Sequence, residues 1–371
     1  MSDQSQVPAE AAVEAKPLVG FLGPQASYTH QASLQAFPED EWDLRPVVNI
    51  TGTRAVCHLA SDRASSSDIF EVVQSGEVAF GVVPVENSTN GSVLFTLDNL
   101  ADRNGLYPDI SVCGEIYLDV HHFLVGRRPD PAPAHDSATG PGSGPRGGGG
   151  GDEGSGACTP TASDPNPLKP RTKPLCSLKH IRRLYSHPQA WGQCVAFLQT
   201  YLKGIEAIDV SSTSRAAELV SMDETGTSAA ISSEIAAGMH GIDVLARTIE
   251  DREDNTTRFF IIRRGLDAGQ KMPGHCVRER ERKKSMVSFT VPHEAPGALA
   301  DVLDCFRRYG TNLTSINSRP SLTAPFNYVF FAEFEGHRFR DPEGRVKGAL
   351  EGVAQVAERW RWLGSWEDQR S

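Results

Sequence analysis

Short clusters of hydroxyl, amide and glycine residues stand at four places where an apolar run ends: Gly23 to His30 (GPQASYTH), Pro84 to Ser92 (PVENSTNGS), Ser211 to Arg215 (SSTSR) and Ser232 to Glu234 (SSE). Ser, Thr and Asn at such junctions cap helices by accepting from first-turn N–H groups that lack an intrahelical partner. Capping explains any one of these clusters without a ligand. Four of them on the C-terminal edge of one sheet would gather helix dipoles, hydroxyls and amides into an anion-binding cleft. The chemistry they suit is the gripping of a small, multiply anionic molecule without a metal or nucleotide motif; no Walker loop or HExxH occurs. His187 and Cys194 in HPQAWGQC (187 to 194) have the residue types of a nucleophile pair. Their spacing puts them on nearby helical turns with no third orienting group, so they read as packing residues. His30 and Glu86 are possible proton donors that read equally as polar residues of a helix start.

The elements that must position these residues follow from hydrophobic periodicity. Between Pro17 and Arg264, strand-length runs (Leu18 to Leu22, Val78 to Val83, Val120 to Val125, Ile208 to Val210, Ser228 to Ile231, Phe259 to Ile262) alternate with helix-period segments. That alternation predicts α/β layers with a mostly parallel sheet. From Ser285 the pattern changes to strand (Ser285 to Pro292), helix (Gly297 to Tyr309, with Leu299, Val302, Leu303 and Phe306 on one face), strand (Leu313 to Ser318) and strand (Phe326 to Phe334). A helix starting on Asp341 as N-cap and Pro342 as N1, and a strand over Trp360 to Trp366, complete it. The order βαββαβ predicts a ferredoxin-like α+β module of about 80 residues.

Composition bounds the rest. The 371 residues suffice for two or three domains, and 39% hydrophobic against 23% charged residues exclude a fully disordered chain. A formal charge of −10 argues against a surface built to neutralise nucleic-acid phosphates. No apolar run approaches the roughly 18 residues of a membrane helix. Residues 1–16 carry neither a secretory nor an Arg-rich transit pattern and read as disordered, so the expected location is cytoplasmic. Seven widely spaced cysteines without a CxxC disfavour a disulfide framework and a zinc cluster. Of the 34 Gly and 24 Pro, 20 fall between Arg127 and Cys176, a stretch without Val, Ile, Met or an aromatic. We read 127–176 as a disordered insertion within a 17–264 catalytic domain, 265–284 as a solvated linker ending in RERERKK, and 285–371 as a separate domain.

Taken in order, GPQASYTHQA (23 to 32), GVVPVENSTNGSV (81 to 93), HPQAWGQC (187 to 194), SSTSRAAELV (211 to 220) and IEDREDNTTRFFII (249 to 262) resemble the motif series of prephenate dehydratases. The segment after 285 resembles an ACT domain, with GALADVL (297 to 303) and NSRP (317 to 320) where that family shows GAL and ESRP. The resemblance implies a two-lobed catalytic fold similar to type II periplasmic binding proteins, with the active site in the interlobe cleft. It implies decarboxylating dehydration of prephenate to phenylpyruvate in phenylalanine biosynthesis, without a cofactor or metal, by a homodimer or homotetramer inhibited by phenylalanine. Arogenate dehydratase and a non-catalytic amino-acid sensor are the alternatives. Loss of carbon dioxide pushes electrons through the ring and expels the opposite hydroxyl, which needs a hydrogen-bond donor as it leaves. The family's TRF motif falls on Thr257, Arg258 and Phe259, and the resemblance assigns that donor to Thr257. Arg258 is expected to dock a carboxylate or tie the lobes, and Phe259 to pack under the site. Asn87, Ser88 and Thr89, with Ser211, Ser212 and Thr213, are expected to contact substrate. The implied phenylalanine site comprises Gly297, Ala298 and Leu299 with Asn317, Ser318, Arg319 and Pro320, where Asn317 stands in place of the family's Glu.

Overall fold

The computed structural model describes residues 16–47, 69–129, 169–265 and 282–370. A first lobe is built from β1 (Leu18–Leu22), α1 (Tyr28–Ala36), β2 (Asp43–Val47), α2 (Ile69–Ser75), β3 (Phe80–Asn87), β4 (Gly91–Ser92), α3 (Leu94–Ala101) and β5 (Ile110–Asp119). The chain then crosses to a second lobe of β6 (Phe123–Gly126), β7 (Arg183–Ser186), α4 (Pro188–Trp191), α5 (Val195–Tyr201), β8 (Glu206–Asp209), α6 (Thr213–Ser221), β9 (Ser228–Ser232), α7 (Glu234–His240) and β10 (Asp243–Ala246). It returns to the first lobe as β11 (Thr256–Arg264). The outward and returning crossovers are tied to each other, Val120 N donating to Asn255 O (2.7 Å) and Ile249 N to His122 O (2.9 Å).

Both sheets are mixed rather than mostly parallel. β1 runs parallel to β2 and β3, and β7 parallel to β8 and β9, but β11 is antiparallel to both β3 and β5, and β6 antiparallel to β9 and β10. The reason is the crossing itself: a chain that leaves one lobe and comes back adds strands running opposite to those it left. β11 sits between β3 and β5, which explains its unbroken apolar run Phe259 to Ile262, each residue at most 1% exposed. In the second lobe β9 (SAAIS) is buried along its whole length and shares a core with Ala216, Ala217, Ala236 and Ala237 of α6 and α7. Small residues there let two helix starts come close to the sheet.

The C-terminal module follows the expected order: β12 (Lys283–Thr290), α8 (Ala298–Arg308), β13 (Leu313–Pro320), β14 (Tyr328–Glu335), α9 (Arg345–Val356) and β15 (Arg359–Glu367). Its strands are antiparallel, and Val302 and Phe306 of α8 with Val346, Leu350 and Val353 of α9 pack on Val287, Phe289, Ala332 and Phe334. The module's sheet joins that of the first lobe where Gly364 of β15 pairs with Val112 of β5. Gly364 has φ +148°, and a Cβ there would lie 1.9 Å from Val112 O, so only glycine permits this approach.

Three further expectations are corrected. The insertion ends before residue 169: Arg171 pairs with Glu250 and Glu253, Leu175 N donates to Leu245 O, and Cys176 packs on the second-lobe core. The linker ends before Lys284, which is 0% exposed inside β12. Its charge reads as solvated in sequence, but distant carboxylates compensate it. Helix α9 starts at Arg345 with Gly344 as N-cap, not at Asp341, although the Asp341 carboxylate still accepts from Arg345 N and Lys347 N. Residues 1–15, 130–168 and 266–281, on which the remaining expectations for the terminus, insertion and linker fall, lie outside the described residues.

Candidate active site

Thr257, the second residue of β11, lies directly across from Asn87 at the end of β3. The Asn87 side chain is fully committed. Its amide nitrogen donates to Thr257 Oγ1 (2.9 Å) and Asn255 Oδ1 (2.9 Å), while its carbonyl oxygen accepts from Thr89 N (3.0 Å) and Asn90 N (2.9 Å). It therefore neither caps a helix nor keeps a group for a ligand; it closes the β3–β4 turn and holds Thr257. Because Thr257 Oγ1 is the acceptor in this bond, its proton is left to point elsewhere, and an amide donor on the oxygen makes that proton a better hydrogen-bond donor. Ser88 bonds with the opposite strand, its hydroxyl donating to Asp254 O (2.7 Å) and accepting from Thr256 N (3.0 Å). Thr89 is exposed beside it.

A polar chain runs back from Asn255. Its amide donates to Gln193 Oε1 (3.1 Å), the same oxygen that faces His122 Nε2, and His122 Nδ1 lies 2.8 Å from Tyr28 Oη. A carbonyl oxygen can only accept, so Nε2 carries the proton and Nδ1 accepts from Tyr28. Burial pushes the His122 ring below its usual range, more than the Gln193 bond and Glu250 raise it, which keeps it neutral and preserves this direction. Glu250, 1% exposed, accepts from His122 N (2.8 Å) and pairs with Arg171 and His121.

Ser211 to Thr213 sit in the second lobe at the start of α6. Ser211 is exposed; Ser212 is the N-cap, accepting from Arg215 N (3.0 Å), and Ser233 caps α7 from Ala236 N (3.2 Å). Both helix starts face the Gly23–Ser27 loop of the first lobe. Ser214 Oγ donates to Gln25 O (2.5 Å) and Ser233 Oγ to Ala26 O (3.2 Å). Ala26 is held at φ +61° with its N–H on His30 Nδ1 (3.0 Å), a strained position for a residue with a Cβ. His30, stacked on Phe21 and lowered in pKa by burial, supports that loop rather than supplying a proton. Thr257 and the 87–89 turn thus come together directly. The 211–213 turn meets the loop before Tyr28, from which the Tyr28–His122–Gln193–Asn255–Asn87 chain leads to Thr257.

Several expected residues go elsewhere. Arg258 faces away from Thr257, 6% exposed, with its guanidinium on Glu115 Oε2 and on Glu333 Oε2 of the C-terminal module. It does not dock a substrate carboxylate here, because strand alternation sends consecutive side chains to opposite faces. Glu86 goes with it, lining a small cavity shared with Arg258, Asn317 and Glu333. Phe259, expected to pack under the site, lies in the first-lobe core with Phe21 and Ile116. His187 caps α4 through Nδ1, with Gln189 contributing only its N–H, and burial pushes the Cys194 thiol up, opposite to what a nucleophile requires. In the module Gly297 is the N-cap of α8 at φ +86°, leading into Ala298 and Leu299. Asn317 and Arg319 turn toward the first lobe: Asn317 Oδ1 accepts from Ser92 Oγ (2.8 Å), Arg319 grips Asp98 through two 2.8 Å bonds, and Arg103 Nε donates to Pro320 O (2.6 Å). Ser318 pairs with Phe330 in the module sheet.

Sequence reasoning missed Gln193, Asn255, His122, Glu115, Lys284 and Glu333. A usable signal existed for the charged ones: an ionic residue inside an apolar stretch, such as Glu115 within ISVCGEIYL, must find a partner when buried. Among the described residues, no group of three or more His, Cys, Asp or Glu could hold a metal.

A family model for prephenate dehydratase matches residues 19–134 and 169–266, passing over the middle of the insertion. The bifunctional chorismate mutase/prephenate dehydratase of Pseudomonas aeruginosa is 31% identical over 355 residues, 96% of this chain and 74% of its own length. The probable prephenate dehydratase of Saccharomyces cerevisiae is 27% identical, over 92% of this chain and 93% of its own. Among solved structures, the prephenate dehydratase of Arthrobacter aurescens in complex with L-Phe superposes with a TM-score of 0.65 at 26% identity, covering 95% of this chain and 90% of that one.

Proposed function

The chain belongs to the prephenate dehydratase family, and from that premise we propose how its residues carry out the decarboxylating dehydration of prephenate to phenylpyruvate. Thr257 donates a hydrogen bond to the ring hydroxyl as it departs, while the ring electrons released with carbon dioxide aromatise the ring. An aliphatic hydroxyl is too weak an acid to transfer its proton fully. Its contribution is to stabilise charge growing on the leaving oxygen, in a position set before the reaction starts. The observation that carries this reading is the 2.9 Å bond from the Asn87 amide to Thr257 Oγ1, which takes up an oxygen lone pair and releases the proton toward substrate. The starts of α6 and α7, turned toward the Gly23–Ser27 loop, are the donors for the carboxylates, with Ser211, Ser212 and Thr213 at the first of them. Aromatisation supplies the driving force, so the reaction requires no cofactor.

The two lobes tied by paired crossovers support the likeness to type II periplasmic binding proteins, with substrate in the cleft between them. The βαββαβ order supports reading the residues from Arg282 onward as an ACT-like effector module. The solved relative that carries L-Phe supports phenylalanine as the inhibitor, at a site between subunits near 297–299 and 317–320, where Asn317 and Arg319 are also bonded to the first lobe of their own chain. A cytoplasmic location accords with this biosynthetic role.

Purified protein assayed side by side on prephenate and arogenate, with Thr257→Ala as control, tests the function. We expect turnover of prephenate and a loss of about 10²- to 10³-fold in kcat for Thr257→Ala. Preference for arogenate would reassign the substrate. No product from either would leave the sensor reading, and full activity of the variant would remove Thr257 from the mechanism.

A further inference from the structure

The side of β11 opposite Thr257 carries a buried ionic cluster that the dehydration chemistry does not use. Arg258 sends Nε (2.9 Å) and Nη2 (2.5 Å) to Glu115 Oε2 on β5, and Nη2 also to Glu333 Oε2 (2.6 Å) on β14 of the C-terminal module. Lys284, on β12, bonds Glu115 Oε1 (3.0 Å) and Asp368 (2.9 Å) and lies 3.6 Å from Glu333. Thr314 Oγ1 donates to the other oxygen of Glu333 (2.8 Å), fixing the direction in which that carboxylate faces. Burial alone would lower the Lys284 ammonium and the Arg258 guanidinium, but the surrounding carboxylates outweigh it and raise both, so the two cations keep their charge.

Where this cluster grips β11 is what gives it consequence. The pairing of β11 with β3 is regular at Thr257–Asn87 and Arg258–Glu86, then shifts register between Arg258 and Phe259. A bulge interrupts the ladder on that side of the strand and commonly re-aims a side chain beside a site. The β5 ladder runs on unbroken through Arg258, so it is on the β3 side, next to Thr257, that the Arg258 side chain adds its hold, and one end of that side chain belongs to the module. Other ties between module and first lobe, among them Asn317–Ser92, Arg319–Asp98, Arg103–Pro320, Arg361–Tyr107 and the Gly364–Val112 pairing, do not adjoin Thr257 in the chain.

We propose that Arg258 is a positioning residue whose ion pair with Glu333 makes the placement of Thr257 conditional on the seating of the C-terminal module. This rests on Thr257 being the donor to the leaving hydroxyl. Misplacement of a reacting group by a fraction of an ångström is felt in turnover, whereas carboxylates gripped in the second lobe are bound as before. The pair therefore acts on kcat and not on KM.

The test uses the full chain with prephenate. Glu333→Gln keeps the shape of the side chain and a carbonyl acceptor but removes its charge. We expect kcat to fall about 10-fold with KM within about twofold of wild type. Added to Thr257→Ala, the same change should produce no further fall, since there is no hydroxyl left to place. Glu333→Asp, which restores the charge, should recover part of the loss. Unchanged kcat, a rise in KM at constant kcat, or an equal fall in the Thr257→Ala background would each overturn the proposal. Should Glu333→Gln fail to fold, Thr314→Val releases the same carboxylate more gently and must show the kcat-only loss in smaller degree; its absence overturns the proposal equally. Wild-type protein that makes no phenylpyruvate would overturn the proposed function, and this inference with it. Active wild type with an unselective variant would overturn this inference alone.

Discussion

Asn87→Asp is the sharpest perturbation of the site because it changes one group and reverses one hydrogen bond. The aspartate keeps the Oδ1 acceptor that closes the turn on Thr89 N and Asn90 N, so the β3–β4 connection survives. It replaces the amide nitrogen, 2.9 Å from Thr257 Oγ1 and 2.9 Å from Asn255 Oδ1, with a carboxylate oxygen that can only accept. Thr257 then turns its proton to the introduced carboxylate and loses the ability to donate to the departing hydroxyl. The upper bound of the effect is the full contribution of one preorganised donor, roughly 2.7–4 kcal/mol or 10²- to 10³-fold in kcat. Facing Asn255 with oxygen against oxygen adds a stability loss of about 1–3 kcal/mol unless the Asn255 amide turns over. Asn87→Ala is the discriminating comparison: it removes the positioning bond but leaves the Thr257 proton free, so its kcat should fall only about 10-fold. Initial rates of phenylpyruvate formation at saturating prephenate, with folding followed by urea titration, measure both effects. An aspartate variant as active as the alanine variant would refute the idea that the direction of this hydrogen bond matters.

Three further outcomes concern the insertion and two charged or titrating groups. Deleting 135–168, which the family model passes over, should leave turnover within about threefold of wild type, whereas Arg171→Ala strips Glu250, 1% exposed, of its arginine and should cost roughly 2 kcal/mol in urea unfolding. An equal response of the two variants would mean Arg171 has no structural part. His337 is lowered to about 4 by burial first and by the Arg340 and Lys283 cations next. Its unfolded value is about 6.5, so the unfolded state binds the extra proton and stability should decline as pH falls from about 6.5 toward about 4. Urea midpoints across that window should flatten in His337→Gln, and an unchanged slope would assign the effect to other groups.

Much of the architecture was legible in the chain. The apolar run Leu18 to Leu22 is β1 to the residue, Ser212 and Ser233 are the caps their position after a strand announced, and the βαββαβ order emerged from periodicity alone. These are local matters, decided within one turn of helix or one strand by capping and burial. The mixed sheets were not legible, because strand direction depends on where the chain goes between strands. Nor was the ordered return from Lys169, where composition suggested flexibility but Arg171 found Glu250 79 residues away.

For the site, the residues themselves determined which side chains could do chemistry: a threonine beside an arginine at 257 and 258, an asparagine at 87, and hydroxyls at strand ends. Only the tertiary structure decided their roles. Asn87 and Thr257 are 170 positions apart and meet as cross-strand partners, which turns Asn87 from a ligand contact into the residue that aims Thr257. Arg258, next to Thr257 in sequence, belongs to the opposite face and to carboxylates 143 and 75 positions away. A strand's alternation says that neighbours face apart, but which face meets the cleft and which meets another module is set by what packs against each side, and a linear sequence does not carry that.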